Sequence, residues 1–371
     1  MRIQHVVTKA DVGGAQTYVL ELATAQVEAG HSVRLLVGTP GRMSDEAERR
    51  GIIVEYEPDL RRESRLSADI RAGRAIAARL FEWQPDVVHA HSSKAGLLTR
   101  LAARRHRVPA VYTAHGWPFQ AGAPAVQRLL SWTGETAAAR WWGDVICLTE
   151  AELDLARRRC VVSPNRLHLV PNGLPDVSSA LRADLRRESN PTDPSAIVMV
   201  ARFAPPKQQR KVLRSLAMIT ELSWQMTFVG DGPELEATIM EAQRLGIADR
   251  VRFAGDRADV NEFLASCDIG VLCSRYEGMP LALLEKMRAG LACVANDLPG
   301  VRALFGAEGG IVVAAEESAL AEVLADLLGD SEYLERQART ARRRYESEFS
   351  IEANHAAVME VYRSVIRSVR R

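Results

Sequence analysis

Cysteine is scarce in this chain: five in 371 residues. Cys147, Cys160, Cys267, Cys273 and Cys293 are widely spaced and form no C-x-x-C pair, which excludes a disulfide-stapled scaffold and a cysteine zinc site. Buried reduced thiols are the expectation. No histidines stand at a metal-ligand spacing along the sequence. Net charge is also nearly absent, +1 at neutral pH, so no overall field draws the chain onto nucleic acid. No apolar run approaches the ~20 residues of a membrane span. Met1-Arg2-Ile3-Gln4-His5-Val6 enters a strand directly, without the apolar core of a secretory signal, and a cytoplasmic protein is expected. The full G-x-G-x-x-G dinucleotide fingerprint is missing too, which disfavours a nicotinamide cofactor.

What is present is a soluble-enzyme composition, 47% hydrophobic and 26% charged, with a mildly basic amino half and a mildly acidic carboxyl half. Short apolar runs alternate with helical patterns through residues 3–175: strands at 3–8, 32–37, 51–56, 85–91, 110–113, 144–148 and 167–170. Helices are expected at 17–29, 68–81, 97–107 and 126–142. Residues 176–195 are polar, contain Pro191 and Pro194, and read as a linker. A second alternation starts at 196 and continues to 313, followed by helices over 318–348 and 352–371. Such strand–helix repetition gives parallel sheets. The fold class is therefore α/β, two doubly wound Rossmann-like domains, 1–175 and 176–351, facing across a cleft.

The most informative stretch is residues 271–297. An apolar strand ends in Ser274-Arg275-Tyr276-Glu277-Gly278, and a helix then starts near Pro280, which suits a first helical position because it lacks an N–H. Gly290 closes the helix and a further strand follows. Ligands of open parallel sheets sit beyond the carboxyl ends of the strands, where this loop lies. The backbone N–H groups of Gly278, Met279 and Leu281 around Pro280 make an anion seat. One carboxylate, Glu277, stands in the loop and another, Glu285, in the helix. Alone, two such acids are most often solvated surface groups.

The pattern S-x-x-E-G-M-P-L-x-L-L-E-x-M-x-x-G, running from Ser274 to Gly290, resembles the signature of retaining glycosyltransferase family 4, nucleotide-sugar enzymes of the GT-B fold. Several other segments are similar to that family. Val200-Ala201-Arg202-Phe203-Ala204-Pro205-Pro206-Lys207 carries two cations on a Pro-stiffened loop; they either clamp a diphosphate or flank the loop as solvated charges. The resemblance implies the diphosphate role for Arg202 and Lys207, with Gln208 standing where the family commonly has Gly. Gly230-Asp231-Gly232-Pro233 matches a turn near the nucleotide, and the Gly255 stretch one that faces the base. Gly13-Gly14, between a strand and a helix, matches the glycine loop near donor phosphate and acceptor. His115, after a strand, matches a histidine that faces the transferred sugar; a lone His there is otherwise structural. His89 is kept as a strand residue.

The resemblance implies a transfer of sugar from a nucleotide diphosphate donor, UDP-linked, to a saccharide hydroxyl, with retained anomeric configuration. Glu277 would steady the sugar and Glu285 would hold ribose hydroxyls. His91-Ser92-Ser93-Lys94-Ala95-Gly96 and Thr113-Ala114-His115-Gly116-Trp117-Pro118-Phe119 narrow the likeness to enzymes of capsule, exopolysaccharide and lipid-linked glycans, whose acceptors are polyprenyl-pyrophosphate-linked. Lys94, at a helix start, would then meet an acceptor pyrophosphate; a solvated lysine is the more usual reading of such a residue. Arg100, Arg104, Arg105 and Arg107, with Trp132, Trp141 and Trp142, would touch the inner membrane face or else belong to surface and core. Asp256-Arg257-Ala258-Asp259 is too widely spaced for the D-x-D metal pair of other glycosyltransferases, so no metal is expected. The final helix, about 352–371, is expected to pack back on the first domain, as in that fold. The rivals are an epimerase of the same fold and a non-catalytic saccharide- or nucleotide-binding partner.

Overall fold

Runs such as Ala196-Ile-Val-Met-Val200 and Ala292-Cys-Val-Ala-Asn296 carry apolar residues on both faces, the composition of strands covered by helices above and below. The computed structural model describes all residues except 12, 62, 64, 118–131, 134, 135, 137–141, 190–195 and 371. Most of the expected helix at 126–142, Trp141 included, and the Pro191–Pro194 part of the linker lie outside the described residues. Two compact units result, one of Met1–Pro175 with Ile351–Arg371 and the other of Asp176–Ser350.

The first unit holds strands β1 (Arg2–Val7), β2 (Ser32–Val37), β3 (Ile53–Tyr56), β4 (Val87–Ala90), β5 (Ala110–Ala114), β6 (Asp144–Cys147) and β7 (Leu167–Leu169). They form one parallel sheet in the order β3-β2-β1-β4-β5-β6-β7. The second unit holds β8 (Ala196–Val200), β9 (Gln225–Val229), β10 (Val251–Phe253), β11 (Ile269–Leu272), β12 (Ala292–Asn296) and β13 (Ile311–Val313). Their order is β10-β9-β8-β11-β12-β13, again all parallel. In each sheet the strand order reverses once, beside β1 and β4 in the first and beside β8 and β11 in the second. The chain parts there on leaving the two strands, and a crevice opens at their carboxyl ends.

Three local expectations are corrected. Residue 51 does not begin β3; Gly51 is a positive-φ turn residue and the strand starts at Ile53. The helix after Glu277 begins at Leu281, with Pro280 in extended conformation as its N-cap rather than its first residue. The polar stretch after Pro175 is not a bare linker, since Ser179–Leu181 and Ala183–Ser189 are helical. Its charges are paired rather than solvated: Arg186 meets Asp268 and donates to Ala265 O at 3.0 Å, and Arg187 donates to Gly290 O at 2.7 Å.

The Ile351–Arg370 helix belongs to the first unit, with Val358, Met359, Tyr362 and Val365 buried at helical spacing. Asn354 Nδ2 donates to Pro171 O at 2.5 Å, and Ile351 N to Leu174 O at 2.9 Å. No helix among the described residues is long and apolar enough to cross a membrane.

Candidate active site

In the second unit the loops leaving β8 and β11 are stitched together at the reversal point. Lys207 and Ser274 form an antiparallel bridge; Gln208 N donates to Cys273 O and Arg275 N to Pro206 O, both at 3.0 Å. This pairing carries the Lys207 ammonium onto the Glu277 carboxylate, where the two form an ion pair. Both side chains are mostly buried, 19% and 13% exposed, so water screens the pair only in part.

Glu277 is held from two further directions. Buried Asn296, at the end of β12, accepts from Ser274 N at 2.8 Å and donates to Ser274 O at 2.6 Å, fixing the strand exit three residues before the acid. Gly300, in the Pro299–Phe305 helix, lies against the loop itself: a Cβ there would stand 1.5 Å from Gly278 O and 3.0 Å from Glu277 O. The Leu281–Ala289 helix follows at once, and its first-turn amides open beside Gly278 and Met279. Glu285 is one turn above Leu281 on the same face and half-buried. Gly290 caps the helix in left-handed conformation, φ 77°.

Arg202 is exposed at the exit of β8, its carbonyl accepting from the buried Gln209 side chain at 3.0 Å. Gly230, at the exit of β9, has φ 138° and a virtual Cβ only 2.2 Å from Ala201 O, so only glycine lets the β9 loop lie over the Arg202 segment. The described residues thus bring Lys207, Glu277, Gly278, Met279, Pro280 and Leu281 together, with Glu285 above them, and place Arg202 and Gly230 at the ends of the neighbouring strands.

A second polar centre lies at the reversal point of the first unit's sheet. Gly13 and Gly14 open the Gly14–Glu28 helix after β1. Beside them, buried histidines stack across three strands. His5 on β1 and His89 on β4 are register partners, and His91 is two residues on, hence on the same face. His5 Nδ1 is 2.9 Å from His91 Nε2, and His91 Nδ1 is 3.3 Å from His115 Nε2. His5 Nε2 is 2.7 Å from Gln26 Oε1. His89 lies 2.6 Å from Tyr362 Oη through Nδ1 and 2.7 Å from Thr113 Oγ1 through Nε2.

The sequence showed no histidine cluster, and this ladder corrects that reading: the fold assembles one from strands far apart in the chain. His5, His89 and His91 each offer a ring nitrogen within 4.8 Å of the others, three donors of the kind that hold a metal. Their ring nitrogens, however, are already hydrogen-bonded to one another and to Gln26, Thr113, Tyr362 and His115. His115 is therefore the outermost rung of a network rather than a lone histidine.

Burial lowers the pKa of His5 and His115 to about 4 and drives those of His89 and His91 well below the usual value. Because these folded pKa values lie below that of an unfolded histidine, the stability they carry is present above about pH 6.5 and is lost as pH falls toward 4. For His5 alone the loss from pH 7 to pH 5 should be about 2 kcal/mol. Hydrogen exchange of the β4 and β5 amides, corrected for intrinsic rates, should show at least this fall in opening free energy; a flat profile would contradict the buried neutral ladder.

Lys94 lines a cavity of the first unit together with His91 and His115, where it is paired with Asp69 at 2.8 Å and also donates to Glu63 O. Of the two places open to Arg100, lipid surface or core, it takes the core: it is 1% exposed, its guanidinium 4.8 Å from the Tyr112 ring centre. Trp132 and Trp142 direct their indole N–H groups to Arg159 O and Val108 O, at 3.0 and 2.8 Å. Asn296 and Gly300 escaped the sequence reading.

The Glycosyltransferase Family 4 profile matches residues 12–176 and that of Glycosyl transferases group 1 matches 182–344. An Escherichia coli relative, UDP-Gal:alpha-D-GlcNAc-diphosphoundecaprenol alpha-1,3-galactosyltransferase, is 28% identical over 312 residues, 81% of this chain and 80% of that protein. The N-acetyl-alpha-D-glucosaminyl L-malate synthase of Bacillus anthracis is 24% identical, covering 96% of this chain and 95% of its own. Among solved structures, Anabaena HepE in complex with UDP and glucose superposes with a TM-score of 0.84 at 19% identity, over 98% of this chain and all of its own. Sucrose-phosphate synthase of Thermosynechococcus elongatus gives 0.82 at 19%, covering 99% and 100%. With these matches the chain belongs to the family 4-like glycosyltransferases of the GT-B fold.

Proposed function

We propose that this chain is a retaining transferase that moves a sugar from a UDP-linked donor to a saccharide hydroxyl on a lipid-linked glycan, without a divalent metal. The observation that carries the reading is the Lys207–Glu277 pair beside the first turn of the Leu281–Ala289 helix. Cation, helix start and acid together suit a donor that bears a diphosphate at one end and hydroxyls at the other. The diphosphate would draw Lys207 away from Glu277 and meet Arg202 and the amides near Gly278. Glu277, so released, would accept hydrogen bonds from the sugar and offset positive charge developing at its anomeric carbon. Glu285 would accept from the ribose hydroxyls. The bond between the anomeric carbon and the phosphate oxygen breaks while the acceptor oxygen bonds to the same face, and the departing phosphate takes the acceptor's proton. Cations and helix dipole would do the neutralising that a bound metal does elsewhere.

The first unit supports a lipid-linked acceptor. A cavity of about 1460 Å³ along the Leu66–Trp83 and Ser93–His106 helices is lined by exposed Leu66, Ile70, Phe81 and Leu101, and by Arg74 and Arg105. Apolar and cationic lining residues together match an isoprenoid chain carrying a diphosphate, and they favour work at the inner membrane face. The Escherichia coli relative, by its name, acts on a sugar linked to diphosphoundecaprenol. The test is a panel of nucleotide sugars and lipid-linked saccharides incubated with the enzyme in EDTA, the product anomer being read by proton NMR. Transfer from a UDP-sugar with the donor's anomeric configuration is the expected result. Inverted product, or transfer only after a divalent ion is restored, would overturn the corresponding part.

A further inference from the structure

The histidine ladder of the first unit has a direction. A neutral imidazole has one N–H and one lone pair, and burial keeps all four rings neutral at pH 7. His89 faces two hydroxyls, Tyr362 through Nδ1 and Thr113 through Nε2, and its single lone pair accepts from only one of them. A phenol is a far stronger acid than an aliphatic alcohol, and the Tyr362 oxygen already accepts from Gln26 Nε2, so its one hydrogen is left for His89 Nδ1 at 2.6 Å. Tyr362 is therefore the donor, and His89 donates its own Nε2–H to Thr113.

The rest follows one bond at a time. Tyr362 Oη, its hydrogen directed at His89, accepts from Gln26 Nε2 at 3.5 Å. That turns Gln26 Oε1 toward His5 Nε2, which must carry the hydrogen. His5 Nδ1 is then a lone pair and accepts from His91 Nε2; His91 Nδ1 in turn accepts from His115 Nε2. The last lone pair falls on Nδ1 of His115, whose ring lines the cavity along with His91.

We propose that Tyr362 is a positioning residue which, through Gln26, His5 and His91, sets the tautomer of His115, so that Nδ1 of His115 meets a substrate hydroxyl only as a hydrogen-bond acceptor. The substrate half rests on the glycosyl-transfer reading; the tautomer half does not. The opposite tautomer would present an N–H, which suits an anionic oxygen and not the hydrogen of a hydroxyl. The Ile351–Arg370 helix thereby acts on the cavity's chemistry from behind the sheet.

The experiment is long-range 1H–15N NMR of the histidine rings in the full chain, wild type and Tyr362→Phe, with transfer kinetics beside it. Nε2–H tautomers at His5, His89, His91 and His115 are expected in the wild type. In Tyr362→Phe, which removes the donor and leaves the ring packing, His115 should show mixed tautomers. Its kcat should fall about tenfold with the donor KM unchanged, since the loss is part of one hydrogen-bonding role. Gln26→Leu should mix the tautomers of His5, His91 and His115 in the same way. An Nδ1–H tautomer at His115 in the wild type, or an unaltered His115 spectrum in both variants, would overturn the proposal. So would one equivalent of transition metal retained on His5, His89 and His91, because a ligated nitrogen cannot serve the ladder. Mixed tautomers with unchanged kcat would remove the catalytic consequence and leave the reading of the donor site intact.

Discussion

Glu277→Gln is expected to lower kcat for sugar transfer by about 10²–10³-fold, the usual loss when one preorganised group facing developing charge is removed. The amide keeps the shape and a hydrogen-bonding oxygen but surrenders the negative charge. What fails is therefore the electrostatic part of the role. Stability should fall as well, because the pair is mostly buried and Lys207 loses its counter-charge, although the amide oxygen can still accept from the ammonium. Freed from its carboxylate, Lys207 is no longer held back from the diphosphate, so affinity for the nucleoside diphosphate should be kept or improved while turnover drops. Titration with the product nucleotide, alongside turnover, separates these effects. A variant with full turnover would remove Glu277 from the chemistry; one that no longer binds the nucleotide would show that the acid orients the lysine rather than restraining it.

Gly300→Ala is the second large effect, and it acts by volume alone. The added methyl would sit 1.5 Å from Gly278 O and 2.7 Å from Gly278 C, both backbone atoms with no rotamer to yield. Either the Pro299–Phe305 helix shifts outward or the Glu277-Gly278 loop is displaced by more than 1 Å. The loop is pinned at Ser274 by Asn296 and continues directly into the Leu281–Ala289 helix, so its movement carries Glu277 off Lys207. Misplacement of that size costs about 10²-fold in rate, and overpacking a close contact about 1–3 kcal/mol in stability. Turnover and thermal unfolding measured on the same preparation decide the matter. Wild-type turnover in a folded Gly300→Ala protein would mean that the loop has slack there and that the glycine is not what positions the acid.

Much of the architecture could be read in advance because parallel strands buried on both faces leave unbroken apolar runs, and Gly290 and the Pro280 region punctuate their helix by local chemistry. The Glu277-to-Gly290 pattern was legible because its residues share one loop and one helix. Asn296 and Gly300 were not. Each matters for what it touches more than twenty residues earlier in the chain, and nothing in Asn296-Asp297-Leu298-Pro299-Gly300 itself announces a partner. The histidines lie between these cases. Their spacing offered a trace, His89 with His91 and Thr113 with His115, two apart and so on one face of a strand. Only the adjacency of β1 and β4 brings in His5, and strand order is not written in any local segment. The polar residues after Pro175 misled for the opposite reason: composition resembles a solvated connector, yet the arginines there find buried carbonyls and Asp268.

Because the first unit is made of Met1–Pro175 together with Ile351–Arg371, the whole of Asp176–Ser350 is translated before its last helix exists. While that stretch is being made the first unit still lacks Tyr362, leaving Gln26 and His89 with an empty place where the phenol belongs. The amino-terminal unit therefore cannot finish folding before the rest of the chain has been made, the reverse of the usual amino-first order.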